Sequence, residues 1–244
     1  MVVFVSPHLD DVALSCGGLV HRLTKGGQPV TIATICTADC PEDQPLSPIA
    51  QLLHQRWGLG ERPYAHRRAE DERACQLLGA RCVHLGLRDA IYRCDSDGTP
   101  LYGEGPIGGP VHPYDQQVFL PQARAALAEL LTAADEVVCP LAIGGHVDHL
   151  LVRWAVESLR LLSKLRYYED YPYAERDFAP PADLVPEVVP LTEEEVGARL
   201  RAIACYASQW PVLFDTLDAM EARVRAYSQR VGGERYWLNK NMHL

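Results

Sequence analysis

The sequence of 244 residues is short of several features that would point to particular classes of protein. It has no apolar run near the roughly 20 residues that a membrane-spanning helix needs. Its 23 basic residues are outnumbered by 32 acidic ones, for a net charge of -9, whereas nucleic-acid binding normally needs a basic face. The N-terminus lacks the basic segment, apolar core and small-residue cleavage site of a signal peptide. We therefore expect a cytoplasmic protein with no membrane span and no nucleic-acid partner.

The eight cysteines include no C-x-x-C pair, and several lie inside apolar runs. In a chain without a signal peptide, this favours buried free thiols. Cys36 and Cys40 are four residues apart and leave a cysteine-ligated zinc site open, while the other thiols lack ligand-like spacing.

Apolar strand patterns alternate with amphipathic helix patterns through the first two thirds of the chain. This alternation predicts right-handed βαβ units, and hence an α/β protein with a mainly parallel sheet and helices on both faces. The predicted strands are 2–5, 29–36, 81–85 and 136–139, and the predicted helices are 14–25, 66–78, 118–132 and 148–163.

The C-terminal third is less regular but shows no convincing domain boundary. Strand-like pieces at 165–168 and 184–189 precede helices from about 192 and 211. We expect one domain over residues 1–244, with a core of about 1–165 and a C-terminal appendage of about 166–244. Residues 93–116 are dense in Gly, Pro and Asp, and a loop of this length is usually functional or mobile.

Two turns rich in His and Asp follow predicted strands. Ser6-Pro7-His8-Leu9-Asp10-Asp11 comes directly after the first strand, and Gly144-Gly145-His146-Val147-Asp148-His149 follows the strand that ends at Cys139. In open α/β sheets, ligands bind outside the carboxyl ends of the strands. The two turns can therefore converge although more than 130 residues separate them.

Imidazole and carboxylate groups are good zinc ligands, and a catalytic zinc typically has three protein ligands and a water. His8 and Asp11 can reach one metal from a single turn, and His149 can supply the third ligand. Fe(II) also suits such a set. A metal here would acidify its water and polarise a carbonyl group.

The remaining polar residues of the two turns suit proton transfer. Asp10 is the natural general base. His146, if protonated, can stabilise an oxyanion and protonate a leaving amine, and Asp148 can orient a histidine from behind. Alternatively, Asp10, Asp11 and Asp148 are only helix N-caps, a role for which Asp is favoured.

Taken together, SPHLDDVALSCGG and GGHVDH resemble the LmbE-like, or PIG-L-type, deacetylase family. Residues 67–70 (RRAE), 77–79 (LLG) and 85–89 (LGLRD) match the family's order too, so that the resemblance covers most of residues 1–160. It implies a Rossmann-like three-layer fold and a zinc-dependent enzyme that removes acetyl groups from N-acetylglucosamine-type sugars. A homo-oligomer would also be in keeping with the family.

The resemblance implies a role for each matching residue. His8, Asp11 and His149 match the metal ligands, Asp10 the general base, and His146 the histidine that stabilises the oxyanion or donates a proton. Arg67 and Asp89 match positions that line the sugar pocket. Their alternatives are a surface ion pair of Arg67 with Glu70 and a turn cap by Asp89.

The sequence departs from the family pattern at four positions. Leu9 and Val12 replace the Pro and Glu of the commonest first motif, and Val147 replaces a common Pro. Gly144 stands where some members have a tyrosine, whose role is then absent or filled from elsewhere. The positions for the metal and the base are intact, so the departures bear on the substrate.

Other functions stay open beside deacetylation of an amino sugar. An amidase acting on another small amide would use the same residues, and a sugar-binding protein could use the metal without turnover, although it would not need Asp10. A nucleotide-binding domain is disfavoured because the first turn lacks G-x-G-x-x-G.

Two features downstream have more than one interpretation. The aromatic and acidic segment 167–173 could form a sugar-stacking wall or pack in the interior. Arg235 could neutralise an anionic group of the substrate or hold the C-terminal segment through a buried salt bridge.

Overall fold

The computed structural model describes residues 1–60, 62–103 and 107–240. Within these ranges one sheet contains seven strands in the order β3-β2-β1-β4-β5-β7-β6. β1 to β5 run parallel, whereas β7 is antiparallel to both β5 and β6. The strands are β1 Val2–Ser6, β2 Val30–Cys36, β3 Arg81–Leu87, β4 Glu136–Pro140, β5 Leu165–Tyr168, β6 Leu184–Val189 and β7 Glu234–Asn239.

Helices cover both faces of the sheet. α1, α3 and α7 pack together, and α5 packs on α6. The bounds are α1 Asp11–Lys25, α2 Pro48–Trp57, α3 Pro63–Leu78, α4 Pro113–Gln117, α5 Phe119–Thr132, α6 Val147–Ser158, α7 Glu193–Ala204, α8 Trp210–Phe214 and α9 Leu217–Val231.

The first strand shows how the layers form. Side chains alternate between the two faces of a strand, so Val2 and Phe4 of β1 join the apolar cluster that includes residues of α1 and α3. Val3 and Val5 join the cluster that includes residues of α5 and α6. The predicted three-layer α/β fold with a mainly parallel sheet is confirmed.

The elements differ from the prediction in several places, among them α4, which lies in the segment predicted as a loop, and the three that follow. α2 was not predicted, although Ser47 caps it by accepting a hydrogen bond from Ala50 N, Pro48 starts it and Gly58 ends it with a φ of 64°. α6 ends at Ser158 rather than at residue 163. β7 was also missed, because its pairing with β5 and β6 depends on residues distant in the sequence.

The C-terminal segment continues the sheet rather than lying beside it. β5, at the boundary predicted near residue 165, pairs with β4 on one side and β7 on the other. The segment also holds α1. The fully buried Arg199 donates hydrogen bonds to Leu14 O, and Glu234 accepts hydrogen bonds from Gly18 N and Leu19 N. Whether residues 1–244 form one folding unit stays a prediction.

Among the described residues, we find no helix with the length and apolar character needed to cross a bilayer.

Candidate active site

A cleft of about 720 Å³ opens where β1 and β4 end, and both sequence motifs contribute to it. Polar groups converge at its floor, while apolar and aromatic side chains form its walls, as in most small-molecule sites. The residues lining it include His8, Asp10, Asp11, Arg67, Asp89, His146 and His149, with Leu53, Trp57, Ile91, Ile107, Tyr173 and Leu213 among the walls.

The first motif is a tight turn between β1 and α1. Ser6 Oγ donates to His8 O and accepts from Val12 N, and Asp11 Oδ2 accepts from His8 N at 2.7 Å. Asp10 stands at the N-cap position of α1, but its side chain makes no capping hydrogen bond. The carboxylate of Asp10 therefore faces the cleft without a capping role.

The second motif joins β4 to α6. Its two glycines have φ values of 86° and 69°, which favour Gly, and His146 caps α6 because its Nδ1 accepts from Asp148 N. The long segment 93–116 contacts this turn at two residues: Val147 N donates to Ile107 O, and Gly108 pairs with His146. Residues 104–106 of that segment lie outside the described residues.

Two histidines face the carboxylate of Asp11 from opposite sides. His8 Nδ1 lies 3.3 Å from Asp11 Oδ2, and His149 Nε2 lies 3.5 Å from Asp11 Oδ1. His8, His149 and also His146 each offer a ring nitrogen within 4.8 Å of the other two. The residues predicted as metal ligands are thus brought together.

A second carboxylate lies behind each of these histidines. Asp148 Oδ2 is 2.9 Å from His8 Nε2, and Asp170 Oδ1 is 2.6 Å from His149 Nδ1. If each carboxylate accepts the ring N–H, each histidine is left with an unprotonated nitrogen facing Asp11. The lone pair of that nitrogen then points at the lone pairs of a carboxylate oxygen. Only a proton or a metal cation satisfies such an arrangement, and carboxylates behind histidines are typical of zinc sites.

The pKa values of His8 and Asp11 are shifted by the charges around them. Burial alone would lower the pKa of His8, but Asp89, Asp11 and Asp148 outweigh it and raise that pKa well above its usual value. Burial would raise the pKa of Asp11, but His149 and His8 outweigh it and lower that pKa. The floor of the cleft therefore favours positive charge between these groups.

Asp10 differs from its neighbour Asp11. Burial and the adjacent charge of Asp11 raise the pKa of Asp10 to about 7, against the opposing effect of Arg67 and His8. A carboxylate with a pKa near neutrality is well matched to accepting and returning a proton.

Burial favours the neutral form of His146. Burial and the nearby His8 lower its pKa to about 3, which differs from the protonated state considered from the sequence. Its Nδ1 accepts from Asp148 N, so the proton of the neutral ring is on Nε2. His146 can therefore donate a hydrogen bond without carrying a charge.

Neither the ion pair predicted as an alternative for Arg67 nor a capping role for Asp148 is observed. Glu70 instead accepts from Ser208. Arg67 is buried, with its guanidinium 4.7 Å from the Trp57 ring centre, and its Nε has no hydrogen-bond partner among the described residues. Asp148 accepts from Arg93 and Ala90 N as well as from His8.

Asp89 combines both interpretations offered for it. Its Oδ1 accepts from Ile91 N and so caps a short 3₁₀ turn, while its Oδ2 accepts from the Tyr64 hydroxyl. It also lines the cleft, with Oδ2 3.7 Å from His8 Nε2.

Tyr173 occupies the space beside Gly144, the position at which some family members have a tyrosine. A Cβ atom on Gly144 would come within 2.8 Å of Tyr173 Cδ1. The Tyr173 ring also contacts His149 edge-on, with ring centres 5.9 Å apart. Within segment 167–173, Tyr173 and the largely buried Tyr171 thus line the cleft, whereas Tyr167 and Tyr168 pack in the interior.

Two other sequence interpretations are decided by the structure. Arg235 Nε donates to Glu169 Oε1 at 2.5 Å, so Arg235 forms the salt bridge that holds β7 and lies outside the cleft. Cys36 groups with His8 and Asp148, and no group of three or more potential ligands among the described residues contains Cys40. The zinc site considered for Cys36 and Cys40 is therefore not supported.

Sequence reasoning gave Asp170 no role of its own and considered Tyr173 only as part of the possible sugar-stacking segment 167–173. Both lie in the segment that follows β5, where the strand-end rule could have identified them, but the aromatic pattern of the segment also suits packing.

Comparisons with known proteins point to one family. Residues 3–159 match the family model described as PIG-L: GlcNAc-PI de-N-acetylase. A 2'-N-acetylparomamine deacetylase from Streptomyces fradiae is 34% identical over 229 residues, which cover 85% of this chain and 72% of the relative.

Solved structures similar to this chain are also deacetylases. The zinc-inhibited form of the teicoplanin deacetylase Orf2 has a TM-score of 0.80 and 27% identity, covering 97% of this chain and 96% of the other. The A40926 pseudoaglycone deacetylase Dbv21 has a TM-score of 0.78 and 29% identity, with the same coverage. The family match over most of the chain, together with these relatives, shows that the chain belongs to the PIG-L family of de-N-acetylases.

Proposed function

We propose that this protein hydrolyses the N-acetyl group of an amino sugar carried on a larger molecule, with zinc held by His8, Asp11 and His149. The observation that carries the proposal is a pair of histidines that face Asp11, each with a second carboxylate behind it. Asp10 lies beside them, and its side chain makes no capping hydrogen bond. Relatives named as deacetylases of 2'-N-acetylparomamine, of teicoplanin and of the A40926 pseudoaglycone support it.

The donor set suits zinc, since two imidazoles and one carboxylate leave a coordination position open. The related teicoplanin deacetylase has been solved in a zinc-inhibited form, and Fe(II) would suit the same ligands. When bound, such an ion lowers the pKa of a water molecule towards about 7 and polarises a carbonyl group.

The chain's own residues carry the proton. Asp10 accepts a proton from the water that attacks the acetyl carbonyl carbon, and His146 Nε2–H donates a hydrogen bond to the oxyanion that forms. When the C–N bond breaks, Asp10 returns its proton to the amine. The products are acetate and the free amino sugar, and Asp10 is again unprotonated.

The walls of the cleft suit a sugar with a further ring system attached. Arg67 and Asp89 offer polar groups near the floor, and Trp57 and Tyr173 offer aromatic faces. The net charge of -9 favours a substrate that carries other amino groups. A homo-oligomer stays a prediction.

The proposal is tested by acetate release from zinc-loaded protein given N-acetylparomamine, free N-acetylglucosamine, an N-acylated glycopeptide and simple N-alkyl acetamides. We expect turnover of a sugar conjugate, with kcat/KM at least about tenfold above that for the free monosaccharide, because remote contacts contribute binding energy to the transition state. Turnover of the simple amides alone would favour a general amidase. Binding without acetate release would favour a sugar-binding protein.

The close packing of Tyr173 on Gly144 leads to a separate prediction. Gly144→Ala should lower kcat/KM by about tenfold or more, because its Cβ displaces a ring that lines the cleft. Backbone strain at a positive φ should also cost about 1–3 kcal/mol of stability. Activity assays and urea unfolding measure the two effects.

Gly145→Ala is the matched control. Gly145 also has a positive φ of 69°, but nothing lies within 4 Å of an added Cβ. It should lose stability by a similar amount and keep kcat/KM. Equal losses of kcat/KM in both variants would count against a role for Tyr173.

A further inference from the structure

A second group of metal-ligand atoms lies away from the cleft, between α3 and the edge strand β3. It consists of Asp71, Cys75, Cys82 and His84, which we call the edge cluster. Asp71, Cys75 and Cys82 offer ligand atoms that all lie within 4.8 Å of one another, and His84 Nε2 contacts both Asp71 and Cys82.

Local geometry explains why these residues meet. Asp71 and Cys75 are four apart on α3, a spacing that puts them on one face of the helix. Cys82 and His84 are two apart on β3 and so point to the same side of the strand. Gly79, with a φ of 73°, ends α3 and turns the chain into β3 within two residues. No long-range folding event is needed to bring the pairs together.

Three distances within the edge cluster are close to those of ligands around one small ion. Zinc bonds of about 2.3 Å to sulfur and about 2.0 Å to nitrogen or oxygen place tetrahedral ligands about 3.3–3.8 Å apart. Cys82 Sγ lies 3.5 Å from Asp71 Oδ2 and 3.2 Å from His84 Nε2, and the last two atoms are 2.9 Å apart. The group whose ligand atoms all lie within 4.8 Å of one another contains Asp71, Cys75 and Cys82 but not His84, so the four side chains must adjust to share one ion.

Asp71 is oriented from behind, as metal-binding carboxylates usually are. The Tyr206 hydroxyl donates to Oδ1 at 2.7 Å and Thr34 Oγ1 donates to Oδ2 at 3.3 Å. Asp71 and Cys75 are buried, whereas Cys82 and His84 are only partly buried. The edge cluster thus has a fixed interior and an accessible side through which an ion can enter.

We propose that Asp71, Cys75, Cys82 and His84 bind a structural zinc ion that ties α3 to β3. Two sulfurs, one nitrogen and one carboxylate oxygen favour zinc over magnesium or calcium, which prefer oxygen ligands. Four protein ligands leave no open position, so the site is structural rather than catalytic. This inference is independent of the proposed function, because the ligand sets share no residue.

Cobalt substitution tests the proposal, because thiolate-to-cobalt charge transfer reports sulfur ligands, which the edge cluster supplies and the set of His8, Asp11 and His149 lacks. We expect two zinc ions per chain in the wild type and a thiolate charge-transfer band in the Co(II) form. A Cys75→Ala/Cys82→Ala variant should bind one zinc and lose the band. Cys205→Ala, a control at a partly buried thiol outside the cluster, should keep both.

His149→Ala separates this site from the cleft: it should retain the thiolate band even if the cleft binds no metal. Should the double cysteine variant fail to fold, His84→Ala removes one partly buried ligand and should weaken zinc binding at the thiolate site by about tenfold or more. One zinc per chain with no band in the wild type would overturn the proposal. So would a band that survives in the double variant, or a Cys75–Cys82 disulfide in protein purified without reductant.

Discussion

Asp10→Asn should reduce kcat by about 10²–10⁴-fold while the metal content stays unchanged. This is the usual contribution of a general acid or base, and Asp10 is the carboxylate in the cleft that is not opposed to a histidine nitrogen. Because its side chain makes no capping hydrogen bond, replacing it should cost the helix little stability. Acetate release, metal analysis and thermal unfolding measure the three quantities.

Asp97→Asn is the matched control for Asp10→Asn. Asp97 is exposed and distant from both motifs in sequence, so the same change of charge there should leave kcat within about twofold. If Asp10→Asn kept wild-type kcat with a full complement of metal, the base would have to be another group.

His149→Ala should abolish both activity and metal binding in the cleft. His149 is one of the three proposed ligands, and its removal leaves Asp11 and His8 with one fewer neutral donor and an opened cavity. Dialysis followed by metal analysis should show the loss of the ion that supports activity. The Co(II) absorption bands of a site without sulfur ligands provide a specific readout.

A milder variant distinguishes the loss of a metal ligand from damage to the fold. Asp170→Asn keeps the size of the side chain behind His149 but removes its charge, and should weaken metal binding by about 10–100-fold. His66→Ala removes an exposed histidine and should change nothing. Full occupancy of the cleft in His149→Ala would refute the ligand assignment.

The main features of the site were predictable because their signals are local. Each motif places His and Asp directly after a buried parallel strand, and the strand-end rule brings such turns to one edge. The family resemblance then separated the roles of Asp10 and Asp11. For the same reason the parallel part of the sheet was predicted well, whereas β7, which pairs with distant strands, was not.

What escaped prediction depends on contacts across the fold or on mixed spacing. Asp170 contacts His149 from another strand end. The lowered pKa of His146 follows first from burial, which no motif encodes. The edge cluster was missed because its ligands are divided between a helix spacing of four and a strand spacing of two. The cysteines alone, seven residues apart, had no recognisable pattern.

The contacts that hold α1 have a consequence for how relatives of this protein can diverge or be recombined. The family match ends at residue 159, yet Arg199 and Glu234, which lie beyond it, bind the backbone of the helix whose first residue is Asp11. A chimaera that exchanges the C-terminal segment at that boundary would change the contacts that hold the proposed metal ligand Asp11 without changing either motif. The same exchange would replace Tyr173 and Leu213 in the wall of the cleft. We therefore expect substrate range and metal affinity to change together in such a chimaera.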